Sequence, residues 1–146
     1  MARLNDVHSL ATTVMAWTWA RCEAGRITPL EARARQKEGS LVVIDVRRPS
    51  EWRASGVPEG AVALDATAPD FVSRLLDLQR ESPDRALALI SAAAGRSTWI
   101  VRRLRKAGVK NVFNVVEGLF GSPEGPGWAG RGLPLVAAPS HATCSS

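Results

Sequence analysis

Leu41-Val42-Val43-Ile44-Asp45-Val46 is a continuous run of strand length, apolar except for one carboxylate. A strand with one wet face alternates polar and apolar residues, so an unbroken run suits a parallel strand covered on both faces. Ala86 to Ile90 and Val112 to Val115 repeat the pattern, and Ala61 to Leu64 gives a shorter version of it. Helical patterns lie between these runs. Thr28, Pro29 and Glu31 have capping-box spacing with proline at the first helical position, which predicts a helix over about 29–38 ending near Gly39. A short helix is expected around Ser50 to Ala54. Asp70 is placed to cap another, running to about Gln79 with Phe71, Leu75 and Leu78 facing inward. After Ser97, Ile100, Val101 and Leu104 form an apolar helical face, Arg102, Arg103, Arg105 and Lys106 a wet one, and Gly108 a stop. The Gly- and Pro-rich stretch from Glu117 to Gly132 predicts an irregular loop with at most one helical turn at Trp128. Alternating strands and helices imply an α/β layer structure around a parallel sheet.

At 146 residues, without an internal repeat, the chain is expected to form one compact domain. Its formal charge of +5 favours anionic ligands without specifying one. Cys22 and Cys144 lie far apart and both histidines, His8 and His141, sit in terminal segments, so no disulfide framework, metal cluster or histidine-dependent triad is expected. The cysteine usage fits a reducing cytoplasm. Ser9 to Ala20 is apolar but too short for a bilayer span and contains Thr12, Thr13 and Thr18. Asp6 and the scarcity of early positive charge weaken a secretory reading. Val7, Leu10, Val14 and Trp17 fall on one helical stripe, with Asn5 or Asp6 as cap and Gly25 as stop. Packing on the domain is the plain reading of that stripe, and self-association or membrane-surface contact the sharper one. The expected organisation is an amphipathic helix over 1–25, a domain over 26–136 and a flexible tail over 137–146.

In parallel α/β sheets ligands bind at the carboxyl ends of the strands, which points to Ser91, Ala92, Ala93, Ala94, Gly95, Arg96 and Ser97. This loop joins a buried strand to a helix start through small residues, so its backbone amides can converge on an anion while the helix dipole adds favourable potential. Arg96 adds a fixed positive charge. An ordinary connection in which Ser97 only caps the helix fits the same spacing. Asp45 and Arg47, at the end of the first apolar run, are expected to organise the surrounding loops through charge-assisted hydrogen bonds rather than to transfer protons. Trp52, Trp99 and Trp128 are read as core or lid packing. The absence of Tyr leaves a nucleic-acid surface without its interleaved aromatics.

From about Ile27 to Val136 the sequence resembles a single-domain rhodanese, a member of the sulfurtransferase family. The pieces that carry the likeness are Ile44-Asp45-Val46-Arg47 with Pro49, Glu51 and Trp52; Gly60-Ala61; the loop ending Gly95-Arg96-Ser97; Lys110-Asn111-Val112-Phe113-Asn114; Glu117-Gly118; and Gly132-Leu133-Pro134. The resemblance implies a three-layer domain with a central, mostly parallel sheet flanked by helices, here with an extra N-terminal helix. It also implies a loop of the form Cys, four residues, Arg. In that family the cysteine thiolate takes a sulfane sulfur from thiosulfate or a similar donor and passes it, as a persulfide, to a thiol or cyanide. Such a thiolate needs a cradle of N–H dipoles, and a helix N-terminus lowers its pKa. Four residues separate Ser91 from Arg96, the sulfurtransferase spacing; the related phosphatases and arsenate reductases have one more.

Ser91 stands where the family has its nucleophilic cysteine. Serine has no sulfur to persulfidate, and its hydroxyl is a weak nucleophile without an adjacent base; no Gly-x-Ser-x-Gly elbow surrounds it. Ala94 replaces the usual loop glycine, with Gly95 next, and Gly56-Val57-Pro58-Glu59 replaces the common Gly-His-Ile-Pro segment. An engineered Cys-to-Ser change and a natural member that has kept the domain for binding both fit. The first expectation is a sulfurtransferase scaffold, inactive with Ser91, using no metal or cofactor. Its partners would be a small anionic donor such as thiosulfate and a thiol or protein acceptor, with no nucleic acid and no membrane span. The N-terminal helix offers a route to a homodimer. The alternative is a non-catalytic module that holds an anion or a partner protein, with Asp45 and Arg47 as structural support in either case.

Overall fold

A computed structural model describes residues 25–140. In chain order the elements are β1 (Arg26–Ile27), α1 (Pro29–Lys37), β2 (Leu41–Asp45), α2 (Pro49–Ser55), β3 (Val57–Pro58), β4 (Val62–Ala63), α3 (Phe71–Glu81), β5 (Ala86–Ile90), α4 (Gly95–Lys106), β6 (Val112–Val115), α5 (Gly127–Gly130) and β7 (Leu135–Val136). The expectations for the N-terminal stripe, for His8, Cys22, His141 and Cys144, and for most of the tail lie outside the described residues.

Five strands form one sheet in the order β1-β6-β5-β2-β4, and every neighbouring pair is parallel. β3 and β7 form a separate antiparallel pair. The apolar strands divide their side chains between two cores with the period-two alternation of a pleated sheet. Leu41 and Val43 of β2, Ala86, Ala88 and Ile90 of β5, and Phe113 and Val115 of β6 pack with Ala32 of α1 and Trp128 of α5. Ile44, Leu87, Leu89 and Val112 face the other way, onto Phe71 and Leu75 of α3 and Val101 and Leu104 of α4. The result is a mixed α/β domain whose parallel sheet lies between two helical layers.

α1 begins as its sequence predicts, with Thr28 Oγ1 accepting from the Glu31 amide at 3.2 Å. Asp70 does not cap α3. Its backbone lies at φ −93°, ψ 8°, outside the extended geometry that aims a cap side chain at the first-turn amides. Its main-chain carbonyl instead accepts from Ser73 Oγ at 2.9 Å and from the Arg74 amide at 3.0 Å. Arg105 leaves the wet face expected for it and donates to the Val112 carbonyl at 3.0 Å, its guanidinium 5.8 Å from the Phe113 ring centre. Trp52 and Trp128 are buried, whereas Trp99 is 61% exposed. Among the described residues no helix is long and apolar enough to cross a membrane.

Candidate functional site

The loop between β5 and α4 is tied down from outside by main-chain hydrogen bonds. Leu119 N donates to Ser91 O and Phe120 N to Ala92 O, each at 2.9 Å. The segment after β6 can lie this close because of Gly118. A Cβ built there would stand 2.7 Å from Ala92 O and 2.8 Å from Ala94 N. The φ of +67° at Gly118 is also one that side-chain-bearing residues adopt at a cost.

Inside the loop, Ser91 Oγ accepts from the Ser97 amide at 3.2 Å and lies 3.0 Å from Ser97 Oγ. Ser97 Oγ reaches Asn114 Oδ1 at 2.6 Å, and Asn114 Nδ2 donates to Thr98 Oγ1 at 2.8 Å. Asn114 therefore anchors the first turn of α4 from beneath, as a buried polar residue in an otherwise apolar strand. Its position in Val-Phe-Asn-Val is the signal that could have marked it at the sequence level. Among the described residues, the amides of Ala92, Ala93, Ala94, Gly95 and Arg96 donate to no protein acceptor, whereas those of Ser97 and Thr98 do. This leaves a run of unpaired donors at the positive end of a 12-residue helix, which suits a negative charge. Ala94 is left-handed, at φ 68°, so the chain reverses at the position where the resembled family has glycine, and Gly95 does not take over that role. A non-glycine residue there costs about 1–2 kcal/mol.

Arg96 reaches α2, where its two terminal nitrogens each lie 2.7 Å from a Glu51 carboxylate oxygen. Glu51 Oε2 also accepts from the Arg48 amide at 2.9 Å, at the start of its own helix. The Arg96 hydrogen bonds, opposed by partial burial and helped by the Arg48 amide, lower the Glu51 carboxyl to about 2. The Arg96 guanidinium is correspondingly pushed up, chiefly by Glu51. Sequence reasoning selected Arg96 and missed its tie to Glu51, 45 residues away.

Asp45 and Arg47 sit at the carboxyl end of β2 and are both almost fully buried. The Asp45 carboxylate accepts from Arg47 Nε at 3.0 Å, from Arg47 Nη2 at 2.9 Å and from Trp52 Nε1 at 3.2 Å. Arg47 also reaches Ser55 Oγ at 2.9 Å and Gly56 O at 2.8 Å, which ties the carboxyl end of α2 to the end of β2. A second buried carboxylate, Glu117, takes Gly127 N at 3.0 Å and Arg131 Nε at 2.8 Å, and these bonds hold it below its ordinary range. This pair shapes the turn after β6 and was not anticipated from sequence. Asp45 and Arg47 thus share one hydrogen-bonded network at the end of β2, and Glu117 and Arg131 share another at the turn after β6. No group of three or more His, Cys, Asp or Glu is placed to hold a metal among the described residues. An open groove lined by Arg33, Lys37, Glu59 and Arg85 lies near the amino end of β2 and shares no residue with the loop.

The sequence model of the rhodanese-like domain matches residues 28–121. The chain belongs to the rhodanese-like domain family. Its sequence is similar to the uncharacterized protein RP600 of Rickettsia prowazekii, 26% identical over 98 residues, which cover 63% of this chain and 80% of that protein. Among solved structures it resembles Rv0390 from M. tuberculosis, with 27% identity and a TM-score of 0.62, covering 78% of this chain and 98% of the other. The polysulfide-sulfur transferase homodimer from Wolinella succinogenes shares the fold at 23% identity and a TM-score of 0.58, covering 90% of this chain and 91% of its own. Within this rhodanese-like domain, the Ser91–Ser97 loop joins the central strand β5 to α4.

Proposed function

We propose that residues 26–136 form a sulfurtransferase scaffold in which the Ser91–Ser97 loop cradles a thiosulfate-type anion, and that Ser91 occupies the sulfur-carrying position. With cysteine at 91, the thiolate would attack the outer sulfur of thiosulfate. The S–S bond breaks, sulfite leaves with its electron pair, and an enzyme persulfide remains. A thiol or cyanide then attacks the outer persulfide sulfur, releasing the enzyme thiolate and giving an acceptor persulfide or thiocyanate. With serine at 91 neither half can proceed, so the chain binds without turning over. The observation that carries this reading is Ser91 Oγ set against the Ser97 amide beside a run of unpaired amides at the start of α4. Membership of the rhodanese-like family and the sulfur-transferase name of one fold relative support it.

The test is cyanide-dependent thiocyanate formation by the chain as it stands and by Ser91→Cys. No turnover with Ser91 and clear turnover with the cysteine variant are expected. Turnover with Ser91, or none with a correctly folded cysteine variant, would refute the assignment. A second reading has its own support: the Ser91 hydroxyl is buried and bonded to Ser97, the arrangement of a finished structural knot. A domain kept for binding would gain nothing from Ser91→Cys, while capture of its anion or partner would depend on Arg96.

A further inference from the structure

From Ser91 to Val116 the chain contains no Asp or Glu, while Arg96, Arg102, Arg103, Arg105, Lys106 and Lys110 are all cationic. The fold sorts these charges. Arg105 turns inward to the Val112 carbonyl and Arg96 is neutralised by Glu51. Arg102, Arg103 and Lys106 stay exposed. Trp99, Arg103 and Lys106 follow one another at spacings of four and three, so they stand on one stripe of α4, with Arg102 beside it. The stripe begins one turn beyond Arg96 and runs along a helix about 18 Å long, directly from the candidate site.

Trp99 does not fit an idle solvated face. It is the most exposed large hydrophobic side chain among the described residues, at 61%, and the Arg103 guanidinium lies 4.8 Å from its ring centre. Phe120, 54% exposed, belongs to the segment hydrogen-bonded to the loop at Ala92. Aromatic and arginine side chains beside unpaired cations have the composition of a protein-binding hot spot with a charged rim.

We infer that the exposed face of α4, centred on Trp99, Arg102, Arg103 and Lys106, docks an acidic protein segment that sets an apolar side chain against Trp99. Charge complementarity selects this occupant. Residues 1–24 of the chain carry Arg3 and Arg21 against Asp6 and Glu23, so they supply no net negative charge. A second copy would bring the same cations into opposition. A nucleic acid would find on α4 a single aromatic, Trp99, already bearing a guanidinium on its ring. The inference rests on the sulfur-transfer reading only for what the segment would bring to the loop, an acceptor thiol; the docking itself needs no chemistry at residue 91.

The test uses the full chain with Ser91 in place, a fluorescent glutamate-rich peptide with one central leucine, and an oligouridylate of equal charge as competitor. The peptide is expected to bind, to weaken as salt is raised, and to lose roughly tenfold or more in affinity with the R102E/K106E double variant. Trp99→Ala should cost several-fold at unchanged salt dependence, and amide shifts in NMR should map to α4. Failure of the full chain to bind the peptide overturns the inference. So does binding that R102E/K106E leaves unchanged, or tighter binding of oligouridylate through the same residues. Peptide binding together with an inactive Ser91→Cys variant would remove the sulfur-transfer reading and leave the docking face standing.

Discussion

Gly118→Ala tests whether the loop is held by close backbone approach, and Gly39→Ala supplies the internal control. Both glycines are left-handed, Gly118 at φ +67° and Gly39 at φ +79°. An alanine therefore meets the same steric cost at each, about 1–2 kcal/mol, offset in part by a less flexible unfolded chain. Gly39 has nothing within 4 Å of an added Cβ, so its substitution should cost about 1 kcal/mol. At Gly118 the new Cβ would lie 2.7 Å from Ala92 O and 2.8 Å from Ala94 N, both main-chain atoms of the candidate loop. Backbone cannot rotate away as a long side chain can, so overpacking adds about 1–3 kcal/mol. Urea unfolding should then show Gly118→Ala less stable than Gly39→Ala by that margin, with equal m-values. If the loop cradles an anion as proposed, millimolar thiosulfate should stabilise the parent protein, and the displaced loop of Gly118→Ala should lose that stabilisation. Equal losses in the two variants would show that the loop is not braced through Gly118.

Asp45→Ala would strand the Arg47 guanidinium in a buried site and should cost about 3–5 kcal/mol in chemical unfolding; a loss below about 1 kcal/mol would remove the pair from the structural frame. Glu51 titrates at about 2 in the folded protein against an ordinary 4.5, so its contribution is complete above 4.5 and disappears as pH falls toward 2. Because the pair is partly solvent-exposed, that contribution is about 1 kcal/mol or less. Stability followed across this window should fall more steeply for the parent than for Glu51→Gln, and parallel curves would exclude the ion pair as a source of acid sensitivity.

The large features were legible in sequence because they obey strong periodicities. β2, β5 and β6 are unbroken apolar runs, and a fully buried parallel strand leaves no other trace. α1 carries its cap and proline in consecutive positions. β1, β3 and β7 are two residues each, too short for any alternation to register, and they exist because a partner strand lies alongside. Asp70 shows the limit of residue type as a guide, since a capping side chain works only when its own backbone is extended. Within the site, the Ser91–Ser97 loop could be found because strand, small residues and helix are contiguous. Asn114 left only the trace of one polar residue in an apolar strand, and Glu51 left none, because Arg96–Glu51 and Ser97–Asn114 are contacts across the fold.

The contacts that hold this loop barely involve the side chain at residue 91. Leu119 N and Phe120 N grip the carbonyls of residues 91 and 92, and Asn114 holds Ser97 and Thr98. The Ser91 hydroxyl contributes its meeting with Ser97 Oγ and its bond from the Ser97 amide. Replacing it by a thiol weakens those two interactions, at a cost of about 1–2 kcal/mol, and leaves the main-chain frame in place. The Ser91→Cys protein should therefore fold, and its thiol should feel the same unpaired amides and helix terminus that would cradle an anion. That environment favours the thiolate, so the pKa at position 91 should lie below the ordinary value of about 8.5. Alkylation rates followed against pH, resolved by peptide mass so that Cys22 and Cys144 are read separately, measure it. A pKa at or above the ordinary value in a folded variant would mean that burial outweighs the amides, and the anion cradle would lose its physical basis.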